Sequence, residues 1–91
     1  FGLKRRRALV MGASKGLGRS IADALAAEGA HLVISGREQA SLDVACAELR
    51  ALGAASATGI PADVAEGAQM DALAKGAIGA MGGVDIVVQN H

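Results

Sequence analysis

Four short apolar runs alternate along this chain of 91 residues with three longer stretches of helical periodicity, and this alternation limits the possible folds more than any other feature. The short runs have the length of buried strands, and in the longer stretches apolar residues recur every three or four positions. Strands that alternate with helices in this way pair in parallel through right-handed crossovers. We therefore expect an α/β fold with a doubly wound parallel sheet and the element order β-α-β-α-β-α-β.

Glycines and a proline mark the ends of most predicted elements. The predicted strands are 8–11, 31–35, 55–60 and 84–88, and the predicted helices are 16–28, 38–52 and 67–81. The first helix carries an apolar stripe of Leu17, Ile21 and Leu25, while Arg19 and Asp23 are spaced to pair on another face. In a sheet ordered 3-2-1-4, the first two helices cover one face and the third covers the other. The fourth strand is then an edge, although its centre is apolar.

Composition and charge argue against several classes of protein. Nine basic and nine acidic residues cancel, so no overall field attracts nucleic acid or an anionic membrane. The basic run 4–7 is interpreted as a solvated lead-in to the first strand; the alternative, a nucleic-acid-binding arm, lacks aromatic residues for stacking. No apolar stretch approaches the roughly 20 residues that span a bilayer. We expect a cytoplasmic protein with Cys46 buried and reduced, and no metal site at His31 or His91.

The segment from Met11 to Gly18 joins the first strand to the first helix and carries Gly12, Gly16 and Gly18. At such a junction the free N–H groups and the positive end of the helix dipole bind a diphosphate, and glycine lets the ligand approach. The spacing differs from both Gly-x-Gly-x-x-Gly and the Walker A pattern. A tight structural turn is the alternative, but the position between strand and helix favours a dinucleotide site in a three-layer Rossmann fold.

Arg37 follows the second strand, where many NAD-binding folds carry an acid that accepts hydrogen bonds from the ribose hydroxyls. A guanidinium at this point can hold a 2′-phosphate with a forked pair of charge-assisted hydrogen bonds. Lys15 in the glycine segment supplies a second cation. The two charges favour NADP(H) over NAD(H), and Arg37 in place of an acid counts against a nucleotide-binding methyltransferase, which would bind a free ribose diol. The alternative is that both are solvated surface charges.

Three segments together resemble the short-chain dehydrogenase/reductase family, especially its 3-oxoacyl-carrier-protein reductase-like members. They are the glycine segment 11–18, the pair Asp63 and Val64 after the third strand, and the run 85–90. The resemblance covers nearly the whole chain. It departs from the family pattern at Met11, where members usually have Thr. It departs again at the end, where Gln, Asn and His at 89–91 replace the usual Asn-Asn-Ala-Gly.

The resemblance implies a set of residues that contact NADP(H): Gly12, Ser14, Lys15, Gly16, Leu17, Gly18, Arg37, Asp63, Val64 and Asn90. The three glycines and the Leu17 backbone would line the diphosphate, and the two polar residues between them would join Arg37 around the 2′-phosphate. Asp63 would accept a hydrogen bond from the adenine amino group, a contact that the Val64 backbone completes. Asn90 would approach the ribose next to the nicotinamide. Without the resemblance, Asp63 could equally cap a turn.

The family reduces carbonyl groups with a Tyr, a Lys and a Ser that the resemblance places beyond position 91, and this chain contains no Tyr. A positioned acid typically contributes a factor of about 100 to 10,000 to the rate. We expect residues 1–91 to be the N-terminal part of a single NADP(H)-binding domain, inactive alone, in a longer homo-oligomeric enzyme. Its substrate would be a small-molecule carbonyl compound or alcohol, such as a 3-oxoacyl thioester. The alternative is an inactive dinucleotide-binding module with a regulatory or assembly role.

Overall fold

The computed structural model describes residues 6–13, 16–62 and 67–89. The elements follow one another as β1 Arg7–Met11, α1 Gly16–Ala27, β2 His31–Gly36, α2 Gln39–Leu52, β3 Ser56–Pro61, α3 Gly67–Met81 and β4 Ile86–Gln89. The predicted alternation of strands and helices is confirmed. Most ends of the strands and helices lie one or two residues from their predicted positions.

The four strands form one parallel sheet in the order β3-β2-β1-β4. In the centre of the sheet, Leu9 of β1 lies opposite Val33 of β2 on one side and Val87 of β4 on the other. This is the order supposed in the sequence analysis, and β4 is, as expected for that order, an edge of the described sheet. The side chain of Val87 is 55% exposed there, whereas the apolar sequence of β4 suits a strand with neighbours on both sides.

Alternate residues of the central strands point to opposite faces of the sheet and build two apolar layers. One layer packs Val10 and Ile34 against α1 and α2. The other packs Met11 and Val33 against Leu73 and other residues of α3. The predicted distribution of the helices, two on one face and one on the other, is confirmed. The chain forms a three-layer α/β structure of the Rossmann type.

Three local expectations need correction. Arg7 is the first residue of β1 rather than part of a solvated lead-in, because it pairs with Asp85. The strand β4 begins at Ile86 rather than at residue 84, since Asp85 is held in that interaction. Leu17 is 67% exposed and does not belong to a buried stripe, because the first turn of α1 lies at the carboxyl edge of the sheet. Within α1, the expected Arg19–Asp23 ion pair is present at 2.7 Å.

Gly59 in β3 allows α2 to lie close against the sheet. A Cβ atom at this position would come within 2.7 Å of the Leu42 Cβ atom, which is shorter than any normal contact. Both atoms are fixed to the backbone, so neither can rotate away. Glycine at this position therefore sets the distance between the helix and the strand, as glycines inside strands often do.

Candidate functional site

The turn between β1 and α1 is built on two glycines in left-handed conformations. Gly12 has φ of +74° and Gly16 has φ of +69°, a region that side-chain-bearing residues rarely adopt. The backbone N–H groups of Gly12 and Ala13 donate to the carbonyl oxygen of Ser35 at 3.0 and 3.2 Å. The start of the turn is therefore tied to the end of β2.

The described residues leave space beside Gly16 at the amino end of α1. Apart from its chain neighbours and the backbone of its own helix, no described atom lies within 4 Å of the position that a Cβ atom would take there. The first turn of α1 carries no acidic side chain, and Gly18 is buried within it. The first N–H groups of a helix have no partners inside the helix, and the helix dipole makes this end positive. This arrangement suits a bound anion, which is the property expected of a diphosphate site.

A second feature lies where the carboxyl ends of β2 and β3 meet the first turn of α3. A shallow cavity of about 180 Å³ there is lined by Arg37, Pro61, Ala62 and Gln69. The Ala62 N–H donates to the Gly36 carbonyl oxygen at 2.9 Å, which holds the two strand ends together. A guanidinium, two small apolar groups and an amide thus surround one opening.

The hydroxyl group of Ser35 is an unusual buried group near this edge. Ser35 is fully buried, and its Oγ atom has no hydrogen-bond partner in the described part of the chain. Since side chains alternate along a strand, Ser35 lies on the same face as Val33, toward α3. Its neighbours across the sheet are Met11 and Ile60, both apolar.

The structure brings together only part of the residue set that the sequence predicts. Gly12, Gly16, Leu17 and Gly18 share the turn and the first helical turn after β1, and exposed Arg37 follows β2, the next strand of the sheet. The other five predicted residues lie outside the described ranges: Ser14, Lys15, Asp63, Val64 and Asn90. Their roles stay predictions.

Sequence reasoning did not identify Gln69 or Ser35 as residues near the site. The signal for Gln69 was its position in the first turn of a helix that follows a strand, because this turn lies at the carboxyl edge in a parallel sheet. Ser35 stood out only as a hydroxyl directly after the apolar run 32–34 of its strand.

The opposite, amino edge of the sheet carries a separate polar cluster. Arg7 donates from Nε to Asp85 Oδ2 and from Nη2 to Asp85 Oδ1, both at 3.0 Å, and from Nη1 to the Gly82 carbonyl oxygen at 3.2 Å. These hydrogen bonds from Arg7 lower the pKa of Asp85 from 3.8 to about 2. On the same edge, His31 Nδ1 lies 2.9 Å from Ser56 Oγ. These contacts join strands to one another and lie away from the carboxyl edge.

Comparison with known proteins identifies the family to which a chain with these features belongs. A model of the family described as short chain dehydrogenase matches residues 6–91. The chain belongs to the short-chain dehydrogenase family. Members of this family are oxidoreductases that bind a nicotinamide dinucleotide, and the residues present fit that group, because the open helix end and the nearby guanidinium suit its phosphates. No helix among the described residues is both long and apolar enough to cross a membrane.

Two curated members of the short-chain dehydrogenase family illustrate the similarity. The chain is 42% identical to the hydroxysteroid 11-beta-dehydrogenase 1-like protein of Danio rerio, over 98% of this chain and 31% of that protein. It is 40% identical to dehydrogenase/reductase SDR family member 4 of Oryctolagus cuniculus, over 97% of this chain and 34% of that protein. The chain therefore spans about a third of the length of these relatives.

A solved short-chain dehydrogenase provides the structural counterpart. The crystal structure of a short chain dehydrogenase from Burkholderia cenocepacia J2315 in complex with NADP superimposes with a TM-score of 0.90 at 37% identity. The match covers 98% of this chain and 36% of that one. The expected family is confirmed, whereas the expected 3-oxoacyl-carrier-protein reductase subtype stays a prediction.

Proposed function

We propose that this chain is the NADP(H)-binding part of an oxidoreductase that interconverts a carbonyl compound and an alcohol. The observation that carries the proposal is the position of Arg37 at the end of β2, beside the strand whose glycine turn opens α1. A diphosphate at the helix end and a phosphorylated ribose at Arg37 are the two anionic parts of NADP(H). The dinucleotide of the Burkholderia cenocepacia structure supports this choice of cofactor.

Each part of the site has a distinct task in binding. The N–H groups at the start of α1 hold the diphosphate, and glycine at 12 and 16 keeps side chains out of its path. Arg37 binds the 2′-phosphate with charge-assisted hydrogen bonds, and Ser14 and Lys15 complete that contact. The cavity beside Arg37 takes the adenine ring.

The three remaining residues of the predicted set complete the cofactor contacts. Asp63 accepts a hydrogen bond from the adenine amino group, and the Val64 backbone completes that contact. Asn90 approaches the ribose next to the nicotinamide. The cofactor supplies the hydride, and the protonation of the alkoxide falls to a Tyr, a Lys and a Ser outside residues 1–91. The chain by itself thus binds the cofactor without catalysing a reaction.

The substrate class is proposed on the resemblance and on the names of the relatives. A 3-oxoacyl thioester is the class that the sequence suggested, and a hydroxysteroid is the class named in a curated relative. Both are carbonyl or alcohol compounds that exchange a hydride with a nicotinamide. We also propose that the full-length protein is cytoplasmic and forms a homo-oligomer, a dimer or a tetramer, which mass photometry measures directly.

The test is a binding and turnover experiment with the protein at its full natural length. Isothermal titration calorimetry with NADPH, NADH and S-adenosylmethionine is expected to show tight binding of NADPH, weaker binding of NADH and no binding of S-adenosylmethionine. Turnover is then measured with a 3-oxoacyl thioester and a ketosteroid. Binding of S-adenosylmethionine alone would overturn the proposal. Binding of NADPH with no turnover of any carbonyl compound would favour the inactive-module alternative.

A further inference from the structure

The strand β3 is one edge of the sheet, and no strand lies on its outer side in the described part of the chain. In a parallel pair, successive residues of a strand turn their N–H and C=O groups alternately toward the partner strand and away from it. The Ala62 N–H donates to the Gly36 carbonyl oxygen, and Gly36 lies opposite Pro61. Even-numbered residues of this stretch therefore bond to β2, whereas Ala57 and Gly59 turn their backbone groups outward.

The outer edge of β3 lacks the usual protection of an edge strand. Free backbone groups on an edge are a template for pairing with another chain, and proteins often block them with charged side chains, proline or a bulge. Residues 51–62 contain no charged side chain, so charge repulsion does not keep two copies of this segment apart. Pro61 removes one N–H group at the end of the strand. The centre of the edge, at Ala57 and Gly59, needs another form of protection.

Two side chains of α2 reach the outward carbonyl groups of β3. Arg50 Nη1 donates to the Ala57 carbonyl oxygen at 2.8 Å, and Gln39 Nε2 donates to the Gly59 carbonyl oxygen at 3.4 Å. The same Gln39 nitrogen donates to Asp43 Oδ1 at 2.7 Å. Because a carboxylate only accepts hydrogen bonds, this contact fixes which end of the amide faces Gly59. Both carbonyl groups at the centre of the edge thus already accept hydrogen bonds from α2.

We propose that Arg50 and Gln39 mask the outer edge of β3 and prevent it from pairing with β3 of a second copy of the chain. A second copy is the matching partner, because antiparallel pairing about a two-fold axis brings the same uncharged segment of both copies together. The two residues lie near opposite ends of α2, so each covers a different carbonyl group. Neither residue belongs to the predicted cofactor set, so this protection does not depend on the proposed function.

The experiment measures the mass of the protein at its full natural length by analytical ultracentrifugation over a series of concentrations. The double variant Gln39→Ala/Arg50→Ala is expected to form species of about twice the wild-type mass or more as the concentration rises, because each exposed edge joins a further copy. Arg50→Lys keeps a cationic donor and is expected to behave as wild type. The matched control is Arg19→Ala, which removes an arginine that pairs with Asp23 and Glu48 rather than with β3.

A further substitution identifies the surface through which the double variant associates. Thr58 is exposed and lies opposite Val33, on the face of the sheet toward α3. Lysine on an edge strand disfavours pairing with another strand, and pairing of two copies would bring like charges close together. Adding Thr58→Lys to the double variant is therefore expected to restore the wild-type mass.

The possible outcomes separate masking of the edge from a general loss of stability. Larger species that Thr58→Lys removes, with Arg19→Ala at the wild-type mass, support the proposal. A double variant that is folded by circular dichroism and keeps the wild-type mass overturns it. Larger species that persist with Thr58→Lys, or that Arg19→Ala forms equally, also overturn it, because they indicate that another surface is exposed. Should the double variant fail to fold, Arg50→Ala alone decides by the same measurements, since Arg50 makes the shorter contact.

Discussion

Arg7 and Asp85, which are 78 positions apart in the sequence, form a two-pronged ion pair that joins the amino ends of β1 and β4. The Arg7 N–H also donates to Asp85 Oδ2 at 3.0 Å, and the Asp85 N–H donates to the Arg7 carbonyl oxygen at 2.8 Å. The side chain and the backbone thus set the same register. The pair connects the edge strand β4 to the centre of the sheet.

The ion pair predicts a pH-dependent contribution to stability. The folded-state pKa of Asp85 is about 2, below its ordinary value of 3.8, so the contribution is complete above the ordinary value and is lost as the pH falls toward 2. Asp85→Asn is therefore expected to lower the melting temperature at pH 7 and to have a smaller effect as the pH approaches 2. Thermal unfolding of both proteins across that range measures the difference.

The control for this prediction is Asp71→Asn, since Asp71 is exposed on α3. This variant is expected to melt close to wild type at pH 7. A difference between wild type and Asp85→Asn that stays constant from pH 7 to pH 2 would contradict the role of the Asp85 charge.

Gly59 provides a prediction about packing. Gly59→Ala places a Cβ atom against the Leu42 Cβ atom and is expected to lower the free energy of unfolding by about 1–3 kcal/mol, the usual cost of overpacking. The matched variant is Gly79→Ala, within α3, where no described atom outside its own stretch of helix lies within 4 Å of the new Cβ position. Helix propensity there is expected to raise the free energy of unfolding by roughly 0.5–1 kcal/mol. Urea unfolding of both variants tests the pair, and equal effects would be inconsistent with the close approach at Gly59.

At Ser35, in contrast to Gly59, we expect a substitution to stabilise the protein. Its buried hydroxyl has no partner among the described residues, and an unsatisfied buried polar group costs about 1–3 kcal/mol. Ser35→Ala is therefore expected to raise the free energy of unfolding in the absence of ligand. Ser56→Ala removes the partner of His31 and is expected to lower it. If Ser35→Ala is destabilising, the hydroxyl has a partner, such as a buried water molecule.

Much of the fold was predictable because its signals are local. Each strand and helix has its own apolar period, and Gly82 ends α3 with a left-handed backbone. The position of Arg37 at the edge of the sheet followed from the end of β2 alone. Given the strand order 3-2-1-4, the face that each helix covers followed from the right-handedness of the crossovers, which holds for nearly all parallel connections.

The contacts between distant parts of the chain were not predictable in this way. The partner of Arg7 depends on which strands are neighbours. Gln69 and Arg37 line one cavity only because α3 begins at the edge where β2 ends. The spacing within α1 predicted that Arg19 pairs with Asp23. It did not predict the second ion pair, in which Arg19 Nη1 lies 2.8 Å from Glu48 Oε1 of α2. The exposure of Leu17 depends on how far α1 extends past the sheet.

The central claim is that Arg37 selects the 2′-phosphate of a dinucleotide whose diphosphate lies at the start of α1. The most direct test compares the dissociation constants of NADPH and NADH for wild type, Arg37→Ala and the control Lys75→Ala, which removes an exposed cation from α3. Hydrogen bonds to a charged group contribute about 1.5–3 kcal/mol, so Arg37→Ala should weaken NADPH binding at least tenfold and leave NADH binding nearly unchanged. Lys75→Ala should change neither. A wild-type preference for NADH, or an equal loss of both cofactors in Arg37→Ala, would contradict the claim.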